Sequence, residues 1–385
     1  MKTYARYPAA MVKGEGCTLT DADGKEYLDC LAGIAVCSLG HCHPAVSEAI
    51  CQQARELVHV SNLYYTLPQT ELAELLTAHS FADQVFLANS GAEANEAAIK
   101  LARIHAGPER YGVISIAGSF HGRTLATVAA TGQPKFHEGF EPMPDGFSHA
   151  PFGNLNVLEA MITDQTCAIL CEPLQGEGGV RPLDVEYLKG VEELTRQHNL
   201  LLIFDEIQTG IGRTGTLFAH EQLGIVPDIM TLAKALGNGM PIGAMLTRKD
   251  IGAAFTPGSH GSTFGGNPVA AAAAVATMQV MLEDGFLGEV QEKGDYLQKG
   301  LEGLALRFPA LASGARGMGL IRGLVLTEKG IEQGADMVNR LFEKGVLINF
   351  AGNAVLRFLP PLIISKEEID QLLSSLGEVL ADSDQ

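Results

Sequence analysis

The chain has 385 residues, of which 46% are hydrophobic and 19% are charged, a balance typical of a globular protein. Its length exceeds one ordinary hydrophobic core, so we expect more than one lobe. The formal net charge of -18 disfavours nucleic acid and anionic membranes as partners, because both bind clustered Lys and Arg.

The sequence shows neither a membrane span nor a secretion signal. No apolar stretch approaches the roughly 18 residues of a span, and residues 1–8 lack the apolar core of a signal peptide. We therefore expect a cytoplasmic protein. Seven cysteines, an odd number in a long chain, do not indicate a disulfide framework. No metal site is predicted at Cys37, His41, Cys42 and His43, because no second ligand cluster follows.

The N-terminal part of the chain predicts short strands and two helices. Turn residues stand at 14–16 and at 21–24, and the second turn suits a β-hairpin. An amphipathic helix is predicted where Val46, Ile50 and Ala54 share one face. Another helix is predicted near 70–79.

A strand at 85–88 is followed by the small residues SGAEANE at 90–96 and by a helix through His105. This order is typical of a phosphate site, because the free N–H groups at the start of a helix face the anion. Gly91 would let the backbone approach the phosphate closely. The alternative is that Ser90 caps a purely structural helix. A Walker A motif occurs nowhere in the chain, which excludes a P-loop ATPase.

Strands alternate with helices from about residue 85 to residue 247, which predicts an α/β fold with a mostly parallel sheet. Unusual polar residues follow the strands, so we expect them to meet at one edge of the sheet. The predicted strands lie at 113–117, 168–172, 200–205, 229–232 and 243–247, with a crossover helix at 185–198.

Asp205 ends the apolar run LLLIFD at 200–205, and Lys234 follows the next strand in a loop rich in glycine and proline. An amine can form a Schiff base with pyridoxal phosphate, and a carboxylate can keep the pyridine nitrogen of that cofactor protonated. Each residue alone has a simpler explanation, since lysines are mostly solvated and aspartates often cap helices. Similarly, Phe120 is suited to cover a flat ring or to fill a core, while Arg123 is suited to bind a carboxylate.

The remainder of the chain predicts a second lobe. We expect three segments: 1–55 as the N-terminal part of a small domain, 56–270 as a large cofactor-binding domain, and 271–385 as a long connecting helix and the C-terminal part of the small domain. Within the last segment, helices are predicted near 286–307, 332–344 and 366–381, and strands at 319–326, 346–348 and 355–359.

Six motifs together resemble the ω-aminotransferases of pyridoxal-phosphate fold type I, in the order of that family and over nearly the whole chain. They are SGAEANE at 90–96, FHGR at 120–123, EPLQGEGG at 172–179, DEIQ at 205–208, the loop around Lys234, and GSTFGGNP at 261–268. The resemblance implies a large domain with a mostly parallel sheet flanked by helices, and a smaller α+β domain built from both termini.

The resemblance also implies a role for individual residues of the cofactor site. Lys234 would form the Schiff base and shuttle the proton, while Asp205 would pair with the pyridine nitrogen. Gln208 would lie near the ring hydroxyl and Phe120 would stack on the ring. The residues that would hold the phosphate are Ser90, Gly91, Ala92 and Thr263 of the partner subunit.

The implied reaction moves the terminal amino group of N2-acetyl-L-ornithine to 2-oxoglutarate in a homodimer with shared active sites. Arg123 and Ser262 would contact the acylated amino acid. Glu177 would pair with Arg357 and screen it until 2-oxoglutarate arrives, since an unpaired arginine in a closed pocket is costly. Alternative donors are succinylornithine, succinyl-diaminopimelate, ornithine and 4-aminobutyrate. A non-catalytic relative of the fold is a further alternative. The presence of Lys234, Asp205 and both arginines together argues against it.

Overall fold

The computed structural model describes residues 1–384. The strands of this part of the chain are β1 (Met11–Glu15), β2 (Thr18–Asp21), β3 (Glu26–Asp29), β4 (Gln84–Ala88), β5 (Gly112–Ile116), β6 (Phe147–Ala150), β7 (Thr166–Cys171), β8 (Leu174–Gln175), β9 (Arg181–Pro182), β10 (Leu201–Asp205), β11 (Ile229–Leu232), β12 (Gly243–Thr247), β13 (Ala312–Met318), β14 (Ile321–Leu326), β15 (Val346–Leu347), β16 (Asn349–Ala351) and β17 (Val355–Phe358).

The helices are α1 (Ala32–Ala35), α2 (Pro44–Glu56), α3 (Leu67–Ala78), α4 (Gly91–Ala106), α5 (Leu125–Ala130), α6 (Leu155–Met161), α7 (Val185–His198), α8 (Ala219–Leu223), α9 (Lys249–Gly252), α10 (Pro268–Met281), α11 (Phe286–Arg307), α12 (Glu328–Glu343) and α13 (Lys366–Ser383). Two single 3-10 turns occupy Pro134–Phe136 and Lys234–Gly237.

The central sheet has seven strands in the order β4-β12-β11-β10-β7-β5-β6. It is mostly parallel, as predicted, because β6, β5, β7, β10 and β11 run in one direction. The exception is β12, which is antiparallel to both of its neighbours. The predicted alternation of strands and helices is therefore wrong between β11 and β12. Only a 3-10 turn and a short loop separate β11 from β12, and a parallel neighbour needs a longer crossover.

Both faces of the sheet are covered. Along β10, Leu202 and Phe204 pack with α6 and α7 on one face, while Leu201 and Ile203 pack with α4 on the other. Every residue of β10 is buried. This explains why residues 200–204 are all apolar, since both faces of the strand pack against other apolar side chains.

The carboxyl ends of β4, β5, β7, β10 and β11 lie at the same edge of the sheet, because these strands are parallel. Since β12 runs the other way, its amino end lies at this edge as well. The edge thus collects the loops that begin at Asn89, Ala117, Glu172, Glu206 and Ala233.

Besides the two-stranded pair of β8 and β9, two smaller sheets lie outside the central one. The predicted hairpin is confirmed by the antiparallel pairing of β2 with β3. β3 also pairs in parallel with β15, which joins the N-terminal strands to the C-terminal part of the chain. The other sheet has the order β13-β14-β17-β16. The sequence analysis missed β13, because its residues ASGARGM offer no alternation of apolar and polar side chains.

The domain boundaries at residues 55 and 270 stay a prediction. One buried cluster contains side chains from all three predicted segments, for example Leu28, Leu232 and Leu297. The helix α10 packs against both α2 and α3.

Within residues 1–384, no single helix is long and apolar enough to cross a membrane. The pair α10 and α11 meets that test only in combination, and these helices meet at an angle of 75°. Most side chains of α10 are buried against the protein itself.

Candidate active site

A cavity of about 390 Å³ opens at the edge of the central sheet where the strand ends meet. Its wall is made by loops from five strands and by Val36 from the N-terminal part of the chain. The predicted site residues in this wall are Ser90, Gly91, Ala92, Phe120, Arg123, Glu177, Asp205, Gln208 and Lys234. The remaining three, Arg357, Ser262 and Thr263, are outside it.

The Asp205 carboxylate is held by hydrogen bonds from two side chains. Its Oδ2 accepts a hydrogen bond from Nδ2 of Asn95 at 2.8 Å and another from Nδ1 of His121 at 2.8 Å. The side-chain oxygen of Asn95 in turn accepts from the Thr231 hydroxyl at 2.7 Å. All four residues are buried. These contacts fix the orientation of the Asp205 carboxylate. The other ring nitrogen of His121, Nε2, has no hydrogen-bond partner within residues 1–384.

Lys234 stands at the first position of the 3-10 turn after β11, with a positive φ of 44°. A non-glycine residue in this region is strained, which is common at functional sites. No ion pair or hydrogen bond to its Nζ forms within residues 1–384. Burial lowers the pKa of Lys234, an effect that the nearby charges of Glu177 and Asp205 oppose. The amine is therefore poised to act as a base or a nucleophile.

The start of α4 forms another part of the wall. Ser90 caps the helix and accepts a hydrogen bond from the backbone N–H of Glu93 at 3.2 Å. Gly91 and Ala92 follow in the first turn, where N–H groups have no helical partner. A Cβ atom at Gly91 would lie only 2.7 Å from Cδ1 of Ile207, so a larger residue does not fit there. The free N–H groups make this turn suitable for an anion.

Phe120 and Arg123 lie on the opposite loop, after β5. The guanidinium of Arg123 is exposed and sits 4.3 Å from the ring centroid of Phe136, so it remains available to a carboxylate at the mouth. The backbone N–H of Phe120 donates to Glu172 at 3.0 Å. Burial, reinforced by the charge of Asp205, raises the pKa of Glu172 well above its ordinary value. Its surroundings therefore favour the protonated form more than those of an exposed glutamate do.

An ion pair between Glu177 and Arg357 borders the cavity near Lys234. Nη1 of Arg357 lies 2.7 Å from Glu177 and 3.3 Å from the side-chain oxygen of Gln208. The arginine side chain is fully buried, whereas 30% of the glutamate side chain is exposed. Burial alone would raise the pKa of Glu177, but the charges of Arg357 and Lys234 together lower it. Nη2 of Arg357 has no partner within residues 1–384, so one donor of a buried cation is free.

Ser262 and Thr263 lie apart from these residues. The Ser262 hydroxyl accepts from Nδ2 of Asn89 at 3.1 Å and from the backbone N–H of Gly265 at 3.0 Å. Thr263 is exposed and borders a separate small cavity, which is also lined by Asn62. Within one chain, neither side chain reaches the space between Asp205 and Lys234.

The sequence analysis did not assign a role to Asn95, His121 or Glu172. Asn95 and His121 are polar residues within the motifs at 90–96 and 120–123. Their position inside these motifs was the sign in the sequence that they belong to the site. Their common partner Asp205 is 110 and 84 residues away in the chain, respectively. No local pattern encodes such a contact.

Comparison with known proteins identifies the family of this chain. The sequence pattern of the family described as aminotransferase class-III matches residues 2–380. The chain belongs to the class-III aminotransferases. This aminotransferase is 52% identical to the acetylornithine aminotransferase of Gloeobacter violaceus, over 99% of this chain and 95% of that protein.

Solved structures give the same family. The N-acetylornithine aminotransferase of Stenotrophomonas maltophilia is 39% identical, with a TM-score of 0.86 and coverage of 98% of this chain and 97% of that one. The ornithine aminotransferase of Toxoplasma gondii is 34% identical, with a TM-score of 0.94 and coverage of 99% and 92%. These matches and the family assignment make the protein a pyridoxal-phosphate-dependent aminotransferase.

The cavity of this class-III aminotransferase fits the cofactor. The Asp205 carboxylate is buried without Lys or Arg against it, which suits a protonated ring nitrogen. Lys234 offers an unpaired amine, and the first turn of α4 offers free N–H groups for a phosphate. A protonated ring would neutralise the buried carboxylate of Asp205, and this is the main physical reason that the site suits the cofactor.

We predict that Asp205→Asn lowers kcat by at least about 100-fold, the usual scale for losing one preorganised electrostatic contact. The asparagine keeps the size of the side chain and removes its charge. The matched control is Asp228→Asn, because Asp228 lies at the opposite edge of the sheet and binds Arg248. Steady-state transamination at saturating pyridoxal phosphate measures both variants. Equal losses in both would contradict a special role for the Asp205 charge.

Proposed function

We propose that this enzyme transfers the terminal amino group of N2-acetyl-L-ornithine to 2-oxoglutarate, giving N-acetyl-L-glutamate 5-semialdehyde and L-glutamate in arginine biosynthesis. The observation that carries the proposal is the 52% identity to an acetylornithine aminotransferase over 99% of this chain. A cytoplasmic location, expected from the sequence, is part of the same proposal.

Asp205 and Lys234 have different roles in the proposed reaction. When bound, pyridoxal phosphate supplies an aldehyde that accepts the amino group from the donor and passes it to the acceptor. Asp205 would hold the ring nitrogen in its protonated form, in which the ring can accept electron density from the substrate. Nζ of Lys234 would accept the proton from the reacting carbon of the donor and would later donate it back. The lowered pKa of Lys234 favours the neutral amine that this step needs.

The wall of the cavity favours an acylated donor over free ornithine. Its lining includes the apolar side chains of Val36, Met240, Pro241 and Ile242. A free α-ammonium would lose its hydration against this surface, whereas an acetamido group carries no charge. Arg123 is the exposed cation that we propose holds the donor's carboxylate, with Ser262 as a further contact. Ornithine remains the second candidate donor because of the similarity to the Toxoplasma gondii enzyme.

The ion pair of Glu177 with Arg357 lets one cavity serve two substrates. With the pair closed, the cavity presents a neutral wall to the aliphatic amine. With Glu177 turned away, Arg357 is free to bind the second carboxylate of 2-oxoglutarate. Glu177 is partly exposed and follows Gly176, so it is the mobile partner, whereas Arg357 is fixed by Asn349 at 3.0 Å. Gln208 keeps a weaker contact with the arginine.

We also propose a homodimer in which Thr263 of the partner subunit completes the phosphate site. An apolar surface between residues 57 and 67 supports this proposal. Leu63, Tyr65 and Leu67 expose 85%, 97% and 86% of their surface, and the nearby Phe264 exposes 59%. The side chain of Asn62 donates to the backbone oxygens of Ser262 and Gly265, which joins this surface to the loop of Thr263. Exposed apolar side chains that lie together in this way are typical of a protein–protein interface.

Comparing amino donors tests the proposed reaction. We expect kcat/KM with N2-acetyl-L-ornithine to exceed that with ornithine by at least about 10-fold, since burying the charged α-amine of ornithine costs more than about 1.4 kcal/mol. 4-Aminobutyrate, which carries neither an α-amine nor an acyl group, is measured beside them. Succinylornithine and succinyl-diaminopimelate complete the series. A higher kcat/KM for ornithine would replace the proposed donor while leaving the aminotransferase assignment intact.

We predict that Glu177→Gln affects the two half-reactions differently. Without the glutamate charge, Arg357 binds 2-oxoglutarate more readily but repels the donor amine. The ratio of the two half-reaction efficiencies should therefore shift by about 10-fold towards 2-oxoglutarate, a change of about 1.4 kcal/mol. Single-turnover stopped-flow measurements give this ratio. The control is Glu186→Gln, an exposed pair with Lys189. An unchanged ratio in Glu177→Gln would refute the switch.

We predict that Tyr65→Asp weakens the dimer and lowers the affinity for pyridoxal phosphate, because both depend on the covered surface. Sedimentation velocity distinguishes a monomer of 40.8 kDa from a species of twice that mass. Leu306→Asp is the control, since Leu306 is 84% exposed on α11 and lies outside the patch. A wild-type monomer that transaminates at full rate would overturn the shared-site proposal.

A further inference from the structure

The short element α1 is a left-handed turn. The φ angles of its four residues, Ala32, Gly33, Ile34 and Ala35, are 49°, 63°, 68° and 60°. L-residues avoid this conformation because Cβ approaches the following carbonyl oxygen, and a β-branched residue such as Ile34 fits it least well. The next residue, Val36, lines the active-site cavity. A strained turn therefore stands directly before the cavity wall.

This run of left-handed residues has no parallel within residues 1–384. The other non-glycine residues with a positive φ are never neighbours in the chain. Three of them lie at or beside the cavity: Lys234 lines it, Asn238 ends the same 3-10 turn, and Val180 packs with Ala35. Strained residues cluster at active sites, where the strain is retained because it positions a functional group. We therefore looked for the group that the left-handed turn positions.

Surrounding contacts hold the turn in its left-handed form. The buried carboxylate of Asp29 accepts hydrogen bonds from the backbone N–H groups of Leu31 and Ala32, at 2.9 and 2.8 Å. Its other oxygen lies 2.7 Å from Nε2 of His41. At the end of the turn, the backbone N–H of Val36 donates to the Ala32 oxygen at 2.8 Å. The position of Val36 is therefore fixed by the turn and by the carboxylate that holds it.

Packing of the turn sets one side of Val36. Ala35 is buried in an apolar cluster with Leu174 and Val180, and these two residues flank the loop that carries Glu177. The small side chain of Ala35 lets the turn approach this cluster closely. Val36 therefore follows a residue that is anchored beside the loop of the ion pair.

On its other side, Val36 is close to the outer part of the cavity wall. The sulfur of the next residue, Cys37, lies 4.0 Å from the point where a side chain at Gly239 would begin. Gly239 and Pro241 line the cavity and are exposed. The amine of Lys234, in contrast, stands at the end of the central sheet. A donor whose terminal amine reaches that end keeps its α-nitrogen at the outer part, on the side of Val36.

We propose that the left-handed turn sets the choice of amino donor by holding Val36 against the α-nitrogen of the bound donor. The inference rests on the proposed reaction at the donor's terminal amine. An acylated α-nitrogen is uncharged and lies against the valine at little cost, whereas a free ammonium loses its hydration there and gains no partner. Val36 thus discriminates between donors by polarity, and the left-handed turn keeps it within reach of them.

A charge introduced at Val36 tests the proposal through the ratio of kcat/KM for N2-acetyl-L-ornithine to kcat/KM for ornithine. We expect Val36→Asp to lower this ratio at least about 10-fold below that of the wild type, because the new carboxylate pairs with the free ammonium and not with the acetamide. Val226→Asp is the control and should keep the ratio, since Val226 is 54% exposed and precedes β11 at the opposite edge of the sheet. The affinity for pyridoxal phosphate should not change in either variant.

An unchanged ratio in Val36→Asp overturns the inference, and so does a loss that is equal for both donors. The ratio is referred to the wild type. A wild-type preference for ornithine therefore overturns the proposed donor alone, and the ratio of Val36→Asp still decides the role of Val36.

A second pair of variants tests the turn itself. Glycine adopts a positive φ freely, whereas proline is fixed near about −65°. Ile34 is 39% exposed, so neither change removes much buried surface. Ile34→Gly should keep the donor ratio of the wild type, and Ile34→Pro should lower it, with thermal unfolding showing that both variants fold. A folded Ile34→Pro with the wild-type ratio overturns the role of the turn. If Ile34→Pro does not fold, Val36→Asp decides.

Discussion

The carboxylate of Asp205 is buried with only amide, imidazole and backbone donors around it, while the amine of Lys234 faces the same cavity without an ion-pair partner. A buried charge is expensive unless something neutralises it. We propose that the cofactor meets this requirement, because its ring nitrogen suits Asp205 and its aldehyde suits Lys234. The remainder of the site keeps these two groups apart and oriented.

The topology of the central sheet makes this arrangement possible. Five parallel strands deliver their loops to one edge, and the reversed β12 closes the edge with its own start. Asp205 follows a central strand, β10, and Lys234 follows the adjacent strand, β11. Because both strands are buried on both faces, the two side chains stand on rigid supports, which is what electrostatic preorganisation requires.

Parts of the chain outside the central sheet contact the loops at that edge. Arg357 comes from β17 and meets Glu177 from the loop after β8, so the ion pair spans two sheets. The loop of Cys37 comes from the N-terminal part and is tied to the turn of Lys234 through Asn238. The fully buried Arg213 bonds Ser38 and also the backbone oxygens of Leu320 and Pro360. The reacting groups are therefore sensitive to changes in segments that are distant in sequence.

The sequence by itself determined the strands and helices that carry the site. Apolar runs such as 200–204 and 229–232 appear in the structure as β10 and β11, and the helix predicted at 185–198 is α7, because periodic burial is a local property. The motifs also determined the family. Only the tertiary structure decided the direction of β12, the presence of β13, and the partners of Asp205. His121 reaches Asp205 across 84 residues, a contact that arises from packing and leaves no local pattern in the chain. The pairing of Arg357 with Glu177 across 180 residues, by contrast, was implied by the family resemblance and is present in the structure.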